Sequence, residues 1–173
     1  MTKLICILNK CLAFFCISLS GCLVVCVVWQ VFSRYVLNMP STTTDEMARF
    51  LFIWVGLMGA AYTVGQKRHL AIDLLDQMLD NHVTKQTLLR LFVIAISLTF
   101  AGVIMVFGGS KLMFNVLASG QVSPSLGIKM GFVYMALPFS GVIMCLYLLA
   151  DFIEQASGLF RPTSTHSTAS ISE

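Results

Sequence analysis

An all-α integral membrane protein is the expected architecture: four transmembrane helices, a short interfacial amphipathic helix, and both termini cytoplasmic. Two observations lead there. Of the 173 residues, 57% are apolar and only 11% charged, against about 45–50% and about 25% in an ordinary soluble domain. Mean hydropathy is +0.86. So few charges cannot wet the surface of a globular enzyme, and disorder needs the opposite composition. The charges also bracket four uncharged windows of 23, 17, 20 and 21 residues, between Lys10 and Arg34, Arg49 and Lys67, Arg90 and Lys111, and Lys129 and Asp151. A hydrocarbon core of ~30 Å needs about 20 helical residues. The net charge of +3 is scattered and gives no footprint for nucleic acid.

The expected spans are therefore residues 11–33, 44–66, 88–110 and 129–150, in one membrane domain over 1–160. The first contains Leu19-Ser20-Gly21-Cys22, which has the form of a lipoprotein cleavage box. The chain stays apolar after Cys22 as LVVCVVW, where a mature lipoprotein turns polar, so the transmembrane reading is preferred. The second window is short, but Thr43-x-x-Glu46 reads as a capping box that starts a helix upstream. A helix over 44–66 rises roughly 35 Å and spans with tilt.

The second loop carries its own element. Over 70–82 the polar residues Asp73, Asp76, Gln77 and Asp80 form one narrow wet stripe on an otherwise apolar helix. Such a helix lies in the interface plane. It is either a surface-lying connector or a wedge against neighbouring helices or a partner.

The third span is expected to run on through LMFNVLA to Ala118. At roughly 46 Å for 88–118 it must tilt or bend, with Gly108-Gly109 the place to bend. The tight loop QVSPSLG leads to the fourth span, where Pro138 leaves the Tyr134 carbonyl without its usual donor. Asp151 and Glu154 carry this helix into water, and Gly158 is a plausible stop. Residues 161–173 are Ser/Thr-rich and expected to be disordered.

Orientation follows from Lys and Arg, which resist translocation. Lys3, Lys10, Lys67, Arg68, Lys85, Arg90 and Arg161 flank one side; Arg34, Arg49, Lys111 and Lys129 flank the other. Both termini belong with the first group, in the cytoplasm.

No Asp, Glu, Lys, Arg or His lies in the middle of any expected span. Ion-coupled transporters place such residues there to carry the coupling charge, and this chain also lacks paired broken helices or an internal repeat. Alone it is not expected to transport. Five of the six cysteines, 6, 11, 16, 22 and 26, lie in or just before the first span, the sixth is Cys145, and none forms C-x-x-C. Packing is their preferred role. A four-helix thiol-redox or glutathione-linked enzyme is the alternative from another class, and a self-associating small transporter is a third. His69 and Asp73 form an i,i+4 pair, read as the start of the interfacial helix rather than as a catalytic dyad. No catalytic residue, cofactor or metal site is expected.

One charged group remains. Asp45 and Glu46 lie four and three residues before Arg49 and can both pair with it. Arg34 ends the previous helix across the loop YVLNMPSTTTD. The group is either a snorkelling interfacial anchor or an ion-pair cluster that fixes two helices or docks a partner.

The same residues carry a resemblance. The run RYVLNMPSTTTDEMARFLFIWVGLMGAAYTVGQKRHLAID resembles the small membrane subunit of tripartite ATP-independent periplasmic (TRAP) transporters, the DctQ family. The matching positions are Arg34, Tyr35, Asn38, Pro40, Glu46, Ala48, Arg49, Trp54, Gly59, Ala60, His69 and Asp73. A second stretch, with Ser123, Pro124, Leu126, Gly127, Tyr134, Leu137 and Pro138, is similar to that family's later motif. Thr43 stands where many members have Trp, and Lys129 where Pro is common.

The resemblance implies a multi-pass protein of the bacterial inner membrane. It implies a much larger membrane subunit as partner, which carries the sodium and substrate sites. It also implies a periplasmic substrate-binding protein that delivers an acidic solute such as a C4-dicarboxylate or a sialic acid. The structural or partner-docking residues are then Arg34, Asp45, Glu46, Arg49, Trp54, His69, Asp73, Pro124 and Pro138.

Overall fold

The computed structural model describes residues 2–66 and 83–159. They form helices α1 (Thr2–Tyr35), α2 (Thr42–Gly65) and α3 (Val83–Thr99), a π-helix (Phe100–Gly108), then α4 (Gly109–Ala118), α5 (Met130–Tyr134) and α6 (Ala136–Leu159). Four stretches are long and apolar enough to cross a membrane: Ile5–Tyr35, Thr42–Gly65, Leu89–Ala118 and Met130–Ile153. The expected interfacial helix at 70–82, with His69 and Asp73, and the tail at 161–173 lie outside the described residues.

α1 packs on α2, α2 on α6, and α6 on α3 and the π-helix. α6 is thus the axis of the bundle, and its side of the core holds Ala136, Ser140, Tyr147 and Leu148. Burial follows that order: 44% of the most apolar stretch of the fourth span is buried, but only 6% of that in α1. Lipid tails are as apolar as Leu, so helices here associate through close packing and hydrogen bonds.

Three local expectations are corrected. α2 begins at Thr42 with Ser41 as its N-cap, and no side chain caps it. Thr43 is therefore inside the helix and the Thr43–Glu46 capping box does not form. Instead the Thr44 hydroxyl donates to the Ser41 carbonyl at 3.2 Å. The long third span does not break at Gly108-Gly109: both are right-handed helical, with φ −63° and −62°. A Cβ on Gly109 would lie 3.0 Å from Leu137 Cβ and 3.2 Å from Pro138 Cδ. That glycine permits close approach of α6 rather than a bend, and the irregularity is the π-helix just before it. Lastly, α6 runs through Gly158 to Leu159, since a glycine near a helix end costs only about 1 kcal/mol.

Candidate functional site

The charged group at the start of α2 divides in two. Arg49 forms an i,i+4 ion pair with Asp45, both side chains more than half exposed. Glu46 turns the other way. Its carboxylate accepts the hydroxyl of Ser123 and, at 3.1 Å, the backbone N–H of Ser125. The Ser123 oxygen in turn accepts the Leu126 N–H at 3.2 Å. Helical geometry explains the split, because side chains at i and i+4 lie one above the other while adjacent residues diverge by about 100°.

The loop that Glu46 grips is itself closed. Val122 and Lys129 form an antiparallel bridge, the Ser123 N–H donates to the Ile128 carbonyl at 2.9 Å, and the Met130 N–H to that of Gln121 at 3.0 Å. Gly127, at φ +65°, supplies the left-handed turn this closure needs. Ser123 is 3% exposed while Pro124 faces outward. The two stretches of family resemblance, 77 residues apart at Glu46 and Ser123, thus meet in one clasp. Spacing within either stretch could not reveal it.

The other expected residues are placed as follows. Arg34 is exposed in the last turn of α1 and is not part of the Asp45–Arg49 pair. The polar link from α1 to α2 at this end is Gln30, whose Nε2 donates to Asp45 Oδ1 at 3.5 Å. Below it, the loop closes on α1: the Ser33 hydroxyl donates to the Met39 carbonyl, and Asn38 adopts φ +51°, a conformation Asn tolerates. Trp54 joins three helices, edge-on to Phe15 at 6.3 Å and tilted against Phe139 at 6.5 Å. It lines an apolar groove of about 410 Å³ with Leu19, Phe50, Leu126 and Phe132. Pro138 lies in the first turn of α6, against Gly109.

Sequence reasoning missed a polar cluster at the opposite end of the bundle. The Tyr147 hydroxyl donates to Asn9 Oδ1 at 2.6 Å, and Asn9 Nδ2 donates to the Gly65 carbonyl at 3.5 Å. It ties α1, α2 and α6 together. The available signal was Asn9, next to Lys10 at the edge of the first apolar window.

Fold and site together define a multi-pass helical membrane protein whose polar groups join its own helices and loops. Residues 23–158 match the family model of the tripartite ATP-independent periplasmic transporters, DctQ component. The chain belongs to this family, the small permease component of TRAP transporters, and is therefore a transporter subunit and not an enzyme. It is 26% identical over 154 residues, 89% of this chain and 92% of the relative, to a Haemophilus influenzae protein named as a TRAP transporter small permease. With the C4-dicarboxylate TRAP transporter small permease protein DctQ of Rhodobacter capsulatus it shares 33% over 105 residues, 61% of this chain and 45% of the relative. A third relative is the sialic acid TRAP transporter permease protein SiaT of Haemophilus influenzae, 27% identical over 117 residues. That match covers 66% of this chain but 18% of the relative, where the small component is fused to a large permease. Such fusion supports association of the small component with a large subunit.

Proposed function

We propose that this chain is a static scaffold in the bacterial inner membrane, holding the large sodium-coupled subunit of a TRAP transporter while that subunit's mobile part moves. The solute is an acidic organic compound of the C4-dicarboxylate or sialic acid class, delivered by a periplasmic binding protein. Both termini face the cytoplasm, as the Lys and Arg distribution favours. The loops at 34–49 and 111–129 then face the periplasm and help seat the binding protein.

One observation carries the reading. In α1 the apolar stretch Ile5–Tyr35 has only 6% of its most apolar part buried within the chain, while no span centre holds a charge. Scaffolding needs uncovered apolar surface and no titrating group; coupling needs the reverse. Proteoliposomes test it. With binding protein and a sodium gradient, the large subunit together with this chain is expected to accumulate solute, and the large subunit alone is not. Uptake at full rate without this chain refutes the scaffold role. Uptake by this chain alone restores the small-transporter reading.

A further inference from the structure

We infer that Glu46 is a positioning residue for partner docking: it holds the 121–129 loop in one conformation and so presets the loop surface that the periplasmic binding protein meets. The inference rests on the reading that this end of the bundle seats that protein. Four features of the structure support it.

The loop is anchored from outside itself at the Glu46 carboxylate, which takes both the Ser123 hydroxyl and the Ser125 N–H. That carboxylate is available because Asp45, not Glu46, engages Arg49. The anchor sorts the loop into two sides, with Ser123 buried against α2 while Val122 is 52% and Ile128 42% exposed. The exposed side stands between the ends of two spanning helices, Ala118 and Met130.

A loop of nine residues, QVSPSLGIK, with one glycine and four polar residues samples many conformations unless pinned, and each costs binding entropy when a partner selects one. A charged acceptor shared by two donors is a strong pin, since hydrogen bonds to ionised groups exceed neutral ones. Glu46 therefore acts through the loop and need not touch the partner. A plain structural staple makes the same contacts but leaves docking unaffected, so the two roles separate by experiment.

The test uses this chain with its large subunit in lipid nanodiscs for hydrogen exchange, and in proteoliposomes for uptake titrated with the binding protein. In Glu46→Ala the amides of 123–128 are expected to exchange on the order of 10- to 100-fold faster. The concentration of binding protein giving half-maximal uptake is expected to rise several-fold, with the maximal rate retained. Glu46→Gln keeps an acceptor oxygen and falls between wild type and Glu46→Ala. Ser123→Ala resembles Glu46→Ala, and the double variant is no worse than either.

Unchanged loop exchange in Glu46→Ala overturns the positioning role. Faster exchange with an unchanged half-maximal concentration also overturns it, leaving a structural staple. Val122→Trp enlarges an exposed position without touching Glu46. If it alters neither loop exchange nor the half-maximal concentration, the seating reading itself is refuted, and with it the docking half of the inference.

Discussion

Among the described glycines, Gly65 is where an added methyl group would meet the shortest contact. At the end of α2 a Cβ would stand 2.6 Å from Tyr147 Cζ and 2.7 Å from Asn9 Oδ1. Neither neighbour can withdraw freely. Tyr147 is 4% exposed in the core, and Asn9 is held by the Tyr147 hydroxyl at 2.6 Å. Gly65→Ala must therefore push α2 away from α6 or break the Asn9–Tyr147 bond. Overpacking costs about 1–3 kcal/mol, and a lost hydrogen bond between membrane helices about 0.6 kcal/mol, at most about 1.7. Whichever route the structure takes, the expected loss is about 1–3 kcal/mol.

Unfolding by SDS titration in mixed micelles, followed by the fluorescence of Trp29 and Trp54, measures it. Gly21→Ala is the control, because a Cβ there meets nothing within 4 Å. It is expected to be neutral or to gain up to about 1 kcal/mol from helix propensity. Tyr147→Leu removes the ring that blocks the new methyl, so Gly65→Ala combined with Tyr147→Leu should cost less than the sum of the two. Equal effects of Gly65→Ala and Gly21→Ala would refute the close-approach argument, and strict additivity would refute the assignment of Tyr147 as the obstacle.

Three further outcomes are expected. Gly141→Ala should destabilise by about 1–3 kcal/mol in the same titration, because its Cβ would lie 2.8 Å from Met105 Cβ and 3.1 Å from the Val106 backbone nitrogen. Trp54→Leu should lose about 1–3 kcal/mol, the value of two aromatic contacts at about 0.5–1.5 each; an unchanged midpoint means that neither ring contact matters. Charge reversal should separate the two acidic neighbours. Asp45→Arg with Arg49→Asp should restore whatever either single change loses, whereas Glu46→Arg with Arg49→Glu should not, and stability midpoints read both. The exposed pair itself contributes little, so Asp45→Ala should leave unfolding unchanged within error.

The spans and the charged residues that bound them were legible because the bilayer imposes a local rule. Each crossing must supply its own run of apolar residues long enough for the core. Even so, one end shifted: α2 begins at Thr42 rather than at residue 44, whereas the third span runs on to Ala118, as the pattern LMFNVLA implied. The site residues were legible as residues but not as partners. Asp45 and Glu46 both lie within reach of Arg49 in sequence, and only Asp45 takes it.

What the chain alone determined is thus its class: four apolar crossings, no charge at their centres, and a cluster of charged residues at the start of the second. Tertiary structure alone decided the rotation of each helix about its axis. In water an amphipathic pattern marks the inward face. In a bilayer the outward face is equally apolar, so periodicity carries no such mark. The clasp of Glu46 on Ser123, the Asn9–Tyr147 bond, the approach of α6 to Gly65 and Gly109, and that of the π-helix to Gly141 follow from those rotations.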